Sequence, residues 1–414
     1  MGTGSSWHHQ GVPHAAVRRI SSSSRGPAIN DTSVTPCVLA VPESTIEDLR
    51  TRLSRTRLPE TDLVPAGSDP WSRGVPLTEL EALREHWLER YDWRRLESEL
   101  NSLGQWTTTI DGVALHLLHL RSERTDAAPL LLTHGWPGSV VEFLDVARPL
   151  ADPPPGQPAF HVVAPSLPGF GLSGKPREAG WDVERITRAW AELMTRLGYA
   201  RFFAQGGDWG AEVTTLLGAL HPDRVMAVHT SFPQAQAPDG WQEEDLDARE
   251  AEWLHDTRAF WRDGTAYAEQ MVSAPQTLGY ALDDSPVALL AWVADKFHAW
   301  TDPTSEPYGA VQVDRLLDNV MLHWIGVSGA SAAQIYAESW GRVDKVSPVD
   351  VPAAVSVFPG EIEKIPRAWV EARYRRLVRW EVLDRGGHFP SLEVPDLFVD
   401  ELRASFAGLA SAPD

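Results

Sequence analysis

Cysteine is almost absent from this 414-residue chain, in which Cys37 is the one example. An intrachain disulfide needs two cysteines, so a disulfide-stapled secreted scaffold is excluded and a reducing cytoplasm is the compartment that we expect. Lysine is nearly as scarce although arginine is abundant, a bias that we expect from a high-GC bacterial genome. The lysines are Lys175, Lys296, Lys345 and Lys364.

Positive charge is also in deficit, because 37 basic residues face 57 acidic ones and the formal net charge is −20. This balance argues against nucleic acid and against an anionic membrane surface, and a neutral, apolar small molecule fits better. No segment approaches the roughly 20 apolar residues that cross a bilayer. Residues 1–35 contain a serine run but no apolar stretch typical of a signal peptide, so we expect a flexible leader on a soluble protein.

The most informative segment that the chain does contain is 206–210, Gly-Gly-Asp-Trp-Gly. It follows the apolar run 200–204 and precedes 211–217, a pattern that predicts a strand, a tight turn and a helix with Asp208 at the apex. Small neighbours allow the strained backbone of such an elbow. A serine there would indicate an esterase or peptidase, whereas a carboxylate can displace at an electrophilic carbon and form an alkyl ester. The plainer alternative is that Asp208 only caps the helix.

An earlier loop can supply backbone donors to this elbow. The apolar run 128–133 predicts a buried parallel strand, and it leads into 134–138, His-Gly-Trp-Pro-Gly. In hydrolases with a strand, elbow and helix, the oxyanion hole combines the N–H after the nucleophile with an N–H from such a loop. Trp209 and Trp136 are therefore the predicted donors, although the loop taken alone could be an ordinary Gly/Pro turn.

An acid and a base follow the nucleophile in the expected order. The predicted strand 353–358 is followed by Glu361, and the predicted strand 377–383 is followed by His388 on a glycine-rich loop. Asp208, Glu361 and His388 thus each follow a strand, in the order nucleophile, acid, base of this hydrolase class. Either partner alone could be structural, but three residues in this order and context indicate a catalytic triad.

Together these motifs resemble those of the α/β-hydrolase epoxide hydrolases. The nearer branch includes the microsomal and juvenile-hormone epoxide hydrolases, which carry an extra N-terminal region, and the resemblance extends from about Cys37 to the end of the chain. The resemblance implies an α/β-hydrolase fold, which is a mostly parallel sheet flanked by helices. This chain departs from the microsomal relatives in one respect, because we expect no membrane anchor at its N-terminal end. The segments that carry it are the Asp208 elbow, His134-Gly135-Trp136-Pro137, Ser166-Leu167-Pro168-Gly169-Phe170-Gly171-Leu172-Ser173, Phe358-Pro359-Gly360-Glu361 and Gly386-Gly387-His388-Phe389.

The resemblance also implies the chemistry. Tyr336 and Tyr267 match the lid tyrosines that hold the epoxide oxygen, with Tyr280 as an alternative for the second. Asp208 would attack a ring carbon, and His388 would then activate water to hydrolyse the ester to a vicinal diol. Epoxide and water are the expected partners, with no cofactor, no metal, no nucleic acid and no membrane. The oligomeric state is left open, with a homodimer as one alternative.

The chain divides into five predicted segments. We expect a leader at 1–35, an N-terminal helical region at 36–104, the first part of the hydrolase core at 105–232, a helical lid at 233–347 and the second part of the core at 348–414. The core begins with a hairpin over 105–120 and then alternates strands with helices, which is typical of a mostly parallel sheet. The lid would close over the strand ends, where ligands bind in open α/β sheets.

Eighteen tryptophans favour a bulky or aryl-substituted epoxide, with Trp136 and Trp209 flanking the nucleophile as substrate-binding rings. A bacterial natural-product pathway would suit such a substrate. One rival is a haloalkane dehalogenase, which needs N–H donors for a halide rather than an acid, so the two tyrosines favour the epoxide. The other is a ligand receptor on a disabled hydrolase fold, which usually loses part of the triad.

Overall fold

A computed structural model describes residues 17–19, 32–305, 307–345 and 347–409, without the side chains of 17–19 and 245. Most of the predicted leader lies outside these residues. Ten strands of the described chain form one sheet in the order β1-β2-β3-β4-β6-β5-β7-β8-β9-β10. They are β1 Val17–Arg19, β2 Thr35–Leu39, β3 Gln105–Ile110, β4 Val113–Leu120, β5 Ala128–Thr133, β6 Phe160–Pro165, β7 Phe202–Gly206, β8 Val225–Thr230, β9 Ala353–Val357 and β10 Leu377–Val382.

The predicted α/β-hydrolase sheet is present. Strands β5 to β10 run parallel to one another, whereas β1 to β4 add an antiparallel edge that joins the parallel strands at β6. The central strands β5 and β7 are almost wholly buried, as their apolar composition predicts. Helices flank the sheet: α5 packs on α6, and α15 packs on α4. The helices of the core are α4 Leu144–Ala151, α5 Val183–Arg196, α6 Asp208–Leu220, α13 Arg367–Arg373, α14 Pro390–Glu393 and α15 Pro395–Phe406.

The N-terminal region, which was predicted to be helical, also contains a strand. Strand β2 pairs with β3 in antiparallel register, so that residues 35–39 extend the sheet. The interpretation was wrong here because five residues with two buried side chains, Cys37 and Leu39, are too short for a clear period, and only pairing with a distant edge makes them a strand. Helices follow at α1 Glu43–Ser54, α2 Leu77–Glu89 and α3 Trp93–Ser102.

Between β8 and β9 the described chain is helical, with no strand, as the predicted lid requires. The lid helices also pack on the N-terminal region, because α1 and α2 contact α10 and α3 contacts α11. The helices of the N-terminal region therefore stabilise the lid by packing against it. The lid helices are α7 Ala248–Ala259, α8 Ala266–Ser273, α9 Pro275–Asp284, α10 Pro286–Trp300, α11 Val313–Gly326 and α12 Gly329–Ser339.

One arginine joins all three parts of the molecule. Arg315 of the lid binds Glu99 of the N-terminal region at 2.8 Å and Asp145 of the core at 2.6 Å. Its guanidinium also contacts Asp318, whose side chain is fully buried, at 3.1 Å. Tyr91 donates its hydroxyl to the same Asp318 carboxylate at 2.7 Å. Because a buried carboxylate is costly without partners, this cluster fixes the lid against the other two parts.

We expect Arg315→Met to destabilise the protein by about 3 kcal/mol, the lower end of the cost of removing one member of a buried ion pair, since Asp318 keeps other partners. Denaturant unfolding measures the change. The matched control is Arg375→Met, which removes a single exposed contact with Asp350 at 3.4 Å and should change stability by less than about 1 kcal/mol. Equal effects of the two substitutions would show that the cluster contributes nothing beyond surface charge.

Candidate active site

The elbow after β7 is as tight as its small residues predict. Asp208 has φ +49°, in the left-handed region that side chains rarely adopt. A Cβ at Gly206 would lie 2.0 Å from the carbonyl oxygen of Gly210, and a Cβ at Gly210 would lie 1.9 Å from that of Thr133. Glycine is therefore required on both sides of Asp208, because β5, β7 and the start of α6 approach one another closely.

The loop after β5 lies directly on the Asp208 carboxylate. The Trp136 backbone N–H donates to Asp208 Oδ1 at 2.6 Å. A Cβ at Gly135 would lie only 2.1 Å from the same oxygen, so no other residue fits at that position. Trp209, the second predicted donor, follows Asp208 in the first turn of α6. The structure thus brings the predicted oxyanion loop and the elbow together.

His388 lies between the two acidic members of the predicted triad. Its Nδ1 is 2.6 Å from Glu361 Oε1, and its Nε2 is 3.6 Å from Asp208 Oδ2. The His388 backbone N–H donates to the Trp300 carbonyl of the lid at 2.8 Å, which fixes the glycine-rich loop. Burial by itself lowers the pKa of His388, but the Glu361 and Asp208 carboxylates outweigh it and raise the pKa to about 10. His388 is therefore an imidazolium while both carboxylates are charged.

Two lid tyrosines face the nucleophile across a cavity of about 270 Å³ that Asp208, Tyr267 and Tyr336 all line. Burial raises the pKa of both phenols, and the Asp208 carboxylate adds to the rise, so both stay protonated at neutral pH. Tyr280, the alternative candidate, is 70% exposed. Aromatic rings form much of the remaining wall, namely Trp209, Phe232, Phe260, Trp261 and Trp340.

Comparison with known proteins agrees with this geometry. A family model described as "Epoxide hydrolase N terminus" matches residues 34–143, and one described as "alpha/beta hydrolase fold" matches residues 128–267. A protein of Stigmatella aurantiaca, provisionally named an epoxide hydrolase, is 46% identical over 380 residues, which cover 91% of this chain and 85% of that protein. Epoxide hydrolase 1 of Sus scrofa is 30% identical over 425 residues, covering 93% of this chain and 91% of its own.

The chain belongs to the epoxide hydrolase family. Solved structures support the assignment: the Aspergillus niger epoxide hydrolase superposes with a TM-score of 0.83 at 33% identity, covering 90% of this chain and 96% of that one. The juvenile hormone epoxide hydrolase of Bombyx mori superposes with a TM-score of 0.85 at 27% identity, covering 92% and 95%. The predicted fold, activity class and branch are therefore confirmed.

One predicted substrate-binding ring of this epoxide hydrolase lies outside the cavity wall. The Trp136 ring stacks on Tyr267, with centroids 5.2 Å apart, and meets Tyr336 edge-on at 5.6 Å. It thus packs beside both tyrosines, whereas Trp209, the other predicted ring, lines the cavity. The aromatic rings of Trp261 and Trp340, which the sequence did not single out, form the wall instead.

Sequence reasoning also missed three carboxyl groups in or near the site. Glu142 lies under the oxyanion loop, where a Cβ at Gly138 would meet its carboxylate. Burial raises the pKa of Glu142 to about 8. Glu212 and Glu363 line the cavity. The sequence contains one signal for Glu212, because this acid follows Asp208 within a mostly apolar stretch of α6. Glu363 left none, since two residues after a predicted catalytic acid it looks like a surface residue.

Neither a metal site nor a membrane span is found in the described part of the epoxide hydrolase. Its histidine, cysteine and carboxylate side chains form no group of three that could hold a metal ion. None of its helices combines the length and apolar character needed to cross a bilayer.

Proposed function

We propose that this epoxide hydrolase uses Asp208 as its nucleophile, Tyr267 and Tyr336 as the acids that hold the epoxide oxygen, and the Glu361 and His388 pair to hydrolyse the ester. One observation carries the proposal: the carboxylate and both phenols line a single cavity. A substrate between them is attacked on one side while its oxygen is held on the other. Positioning of this kind supplies a large share of the rate acceleration in such displacements.

In the first step, an Asp208 carboxylate oxygen forms a bond to a ring carbon and the C–O bond of the epoxide breaks. The leaving oxygen takes a proton from Tyr267 or Tyr336, so a hydroxyl forms in place of an unstable alkoxide. The phenols suit this role because burial and the Asp208 charge keep them protonated until negative charge develops on the oxygen. The product of this step is a hydroxyalkyl ester of Asp208.

Ester formation removes the charge of Asp208, and this changes the protonation of His388. The imidazolium is stabilised by Glu361 and Asp208 together, so loss of one carboxylate lowers the pKa of His388 and favours the neutral base. The proton that His388 then releases balances the one that the tyrosine gave up. Alkylation thereby prepares the base for the second step.

In the second step, His388 Nε2 takes a proton from water, and the hydroxide attacks the carboxyl carbon of Asp208. The negative oxygen of the tetrahedral intermediate corresponds to Asp208 Oδ1, which already accepts the Trp136 N–H. The Trp209 N–H is the second proposed donor, and each such donor contributes on the order of 3 kcal/mol in comparable sites. When the intermediate collapses, the ester C–O bond breaks and the leaving diol oxygen takes the proton held by His388. The proton of the new carboxylic acid then passes to His388, which restores the Asp208 carboxylate and the imidazolium.

The wall of the cavity supports a bulky or aryl-substituted epoxide. Trp209, Trp261 and Trp340 provide flat apolar surfaces, and the volume of about 270 Å³ admits an aromatic ring beside the reacting carbon. A cytoplasmic setting in a bacterial natural-product pathway stays a prediction that rests on the single cysteine and the arginine bias.

The reaction class is tested with racemic styrene oxide and, in parallel, with 1-chlorobutane. We expect styrene glycol without chloride release, because phenol donors stabilise a leaving alkoxide. Chloride release without diol would make the chain a dehalogenase instead. Binding of styrene oxide without turnover would favour the receptor alternative.

The tyrosines should be separable from the triad. We expect Tyr336→Phe or Tyr267→Phe to slow alkylation about 10- to 100-fold, because a hydrogen bond to a group that develops charge contributes roughly 1.5–3 kcal/mol. Hydrolysis of the ester should change much less. Stopped-flow quenching of tryptophan fluorescence, in which Trp209 next to the nucleophile is a reporter, measures both steps. Tyr280→Phe is the control, and an equal loss in that variant would argue against the assignment.

A further inference from the structure

One part of the active-site cavity is polar, although the rest is aromatic. Glu212, Glu363 and Lys345 line it together with the catalytic groups. Glu212 and Glu363 are only 6% and 8% exposed. A carboxyl group at this depth is costly unless it is paired, so its presence in the wall of a substrate cavity requires an explanation.

Neither carboxyl group is fully satisfied. Oε2 of Glu212 and Oε2 of Glu363 each lack a hydrogen-bond partner among the residues that the structure describes. Lys345 attracts both groups electrostatically, but no ion pair within 4.0 Å joins it to either of them in the described chain. The two glutamates that line the cavity therefore each keep one buried carboxyl oxygen without a partner in the described chain.

The two groups also have no part in the proposed mechanism. His388 already has Glu361 on its Nδ1, so the base needs no further acid. Burial raises the pKa of Glu212 to about 8, so that Glu212 is largely a neutral acid at pH 7, and burial also raises the pKa of Glu363. A neutral carboxyl both donates and accepts hydrogen bonds, as an alcohol does.

The position of Glu212 relative to the nucleophile suits the far end of an aryl substrate. Glu212 follows Asp208 by four residues on α6, which is about 6 Å along the helix axis. A benzene ring with a substituent opposite the epoxide spans a comparable length. The ring would lie against Trp209 and Trp261, and the substituent would reach the two carboxyl groups.

We propose that Glu212 and Glu363 form a polar subsite that binds a hydroxyl group of the epoxide substrate, remote from the reacting ring. The proposal rests on the proposed function and narrows its substrate class to hydroxylated aryl or bulky epoxides. A hydroxyl supplies a donor and an acceptor without adding charge, and it would satisfy oxygens that have no partner in the free protein.

The test compares three para-substituted styrene oxides, with hydroxymethyl, methoxymethyl and ethyl groups. We expect wild-type kcat/KM to favour the hydroxymethyl compound over the ethyl compound about tenfold, mainly through KM. The methoxymethyl compound, which can accept a hydrogen bond from a neutral carboxyl group but cannot donate one, should fall between the other two. A tenfold ratio corresponds to about 1.4 kcal/mol, the size of one net hydrogen bond.

Variants then assign the preference to the subsite. Glu212→Leu and Glu363→Leu should each lower the hydroxymethyl-to-ethyl ratio severalfold, and Glu212→Gln should restore part of it because an amide still hydrogen-bonds. Glu60→Gln, at an exposed position, should keep the wild-type ratio. If the leucine variants fail to fold, the wild-type ratio and the ratio of Glu212→Gln, measured beside the control Glu60→Gln, still decide.

Three results would overturn the proposal. One is a wild-type ratio near one with all three compounds turned over, and another is a ratio that neither glutamate substitution changes. The third is a clear preference for a para-aminomethyl compound over the hydroxymethyl one, which would indicate a cation site. No turnover of any of these epoxides would instead count against the proposed function itself.

Discussion

Asp208→Ala is expected to abolish epoxide opening, lowering kcat/KM by on the order of 10⁴-fold or more, because Asp208 is the proposed nucleophile in the cavity that both tyrosines line. Alanine removes the side chain that we propose forms the ester but not the tyrosines that we propose hold the epoxide. The variant should therefore still bind substrate. Diol formation measured by chiral chromatography gives the rate and the selectivity together.

Asp350→Ala is the matched control, since Asp350 is exposed and makes only one long contact with Arg375. A single turnover in ¹⁸O-labelled water adds a second test of the wild type. Because water attacks the Asp208 carboxyl carbon, the first diol formed should contain unlabelled oxygen from the protein. Labelled diol in that first turnover, or substantial activity of Asp208→Ala, would mean that water attacks the epoxide directly.

His388→Gln is expected to form the ester and then stop. Asp208, Tyr267 and Tyr336 are unchanged in this variant, so alkylation can proceed, but no base remains to activate water. Incubation with styrene oxide should give one equivalent of covalent adduct by intact-mass spectrometry, and steady-state diol formation should fall by roughly 10³-fold or more. Peptide mapping should place the adduct on Asp208.

The pH dependence of ester hydrolysis gives a second test of the role of His388. In the wild type, ester formation lowers the pKa of His388 from its value near 10, so hydrolysis should rise with pH as the neutral base becomes available. That rise should be absent in His388→Gln. An unmodified protein with normal turnover would contradict the two-step scheme, whereas an adduct at another residue would contradict only the choice of nucleophile.

The residues of the proposed triad could be singled out from the sequence because the elbow and the strand ends restrict the sequence locally. An elbow that holds Asp208 in the left-handed region needs glycine on both sides, and such a pattern is visible without a structure. The order of Asp208, Glu361 and His388 was recognisable because each of them comes shortly after a predicted strand. The strand limits agreed to within about two residues because apolar runs bounded by turns are strong signals.

The polar subsite could not be predicted, because its members come from distant parts of the chain. Glu212 lies on α6 and Glu363 lies two residues after Glu361, and the neighbouring Lys345 follows the last lid helix. No periodicity links them, and each taken alone is an ordinary charged residue. The packing of the Trp136 ring beside both tyrosines was missed for a similar reason, since its sequence position indicated a backbone donor and a ring near the nucleophile but not which side chains the ring contacts.

The Arg315 cluster has a consequence for exchanging parts between relatives. Its ion pairs join the lid to Glu99 of the N-terminal region and to Asp145 of the core, so the lid is not an independent module. A chimera that takes only a foreign lid would leave these carboxylates facing an unmatched surface. Exchange of substrate specificity should therefore succeed when the lid and the segment 36–104 are transplanted as one unit, and recombination boundaries are better placed around that pair.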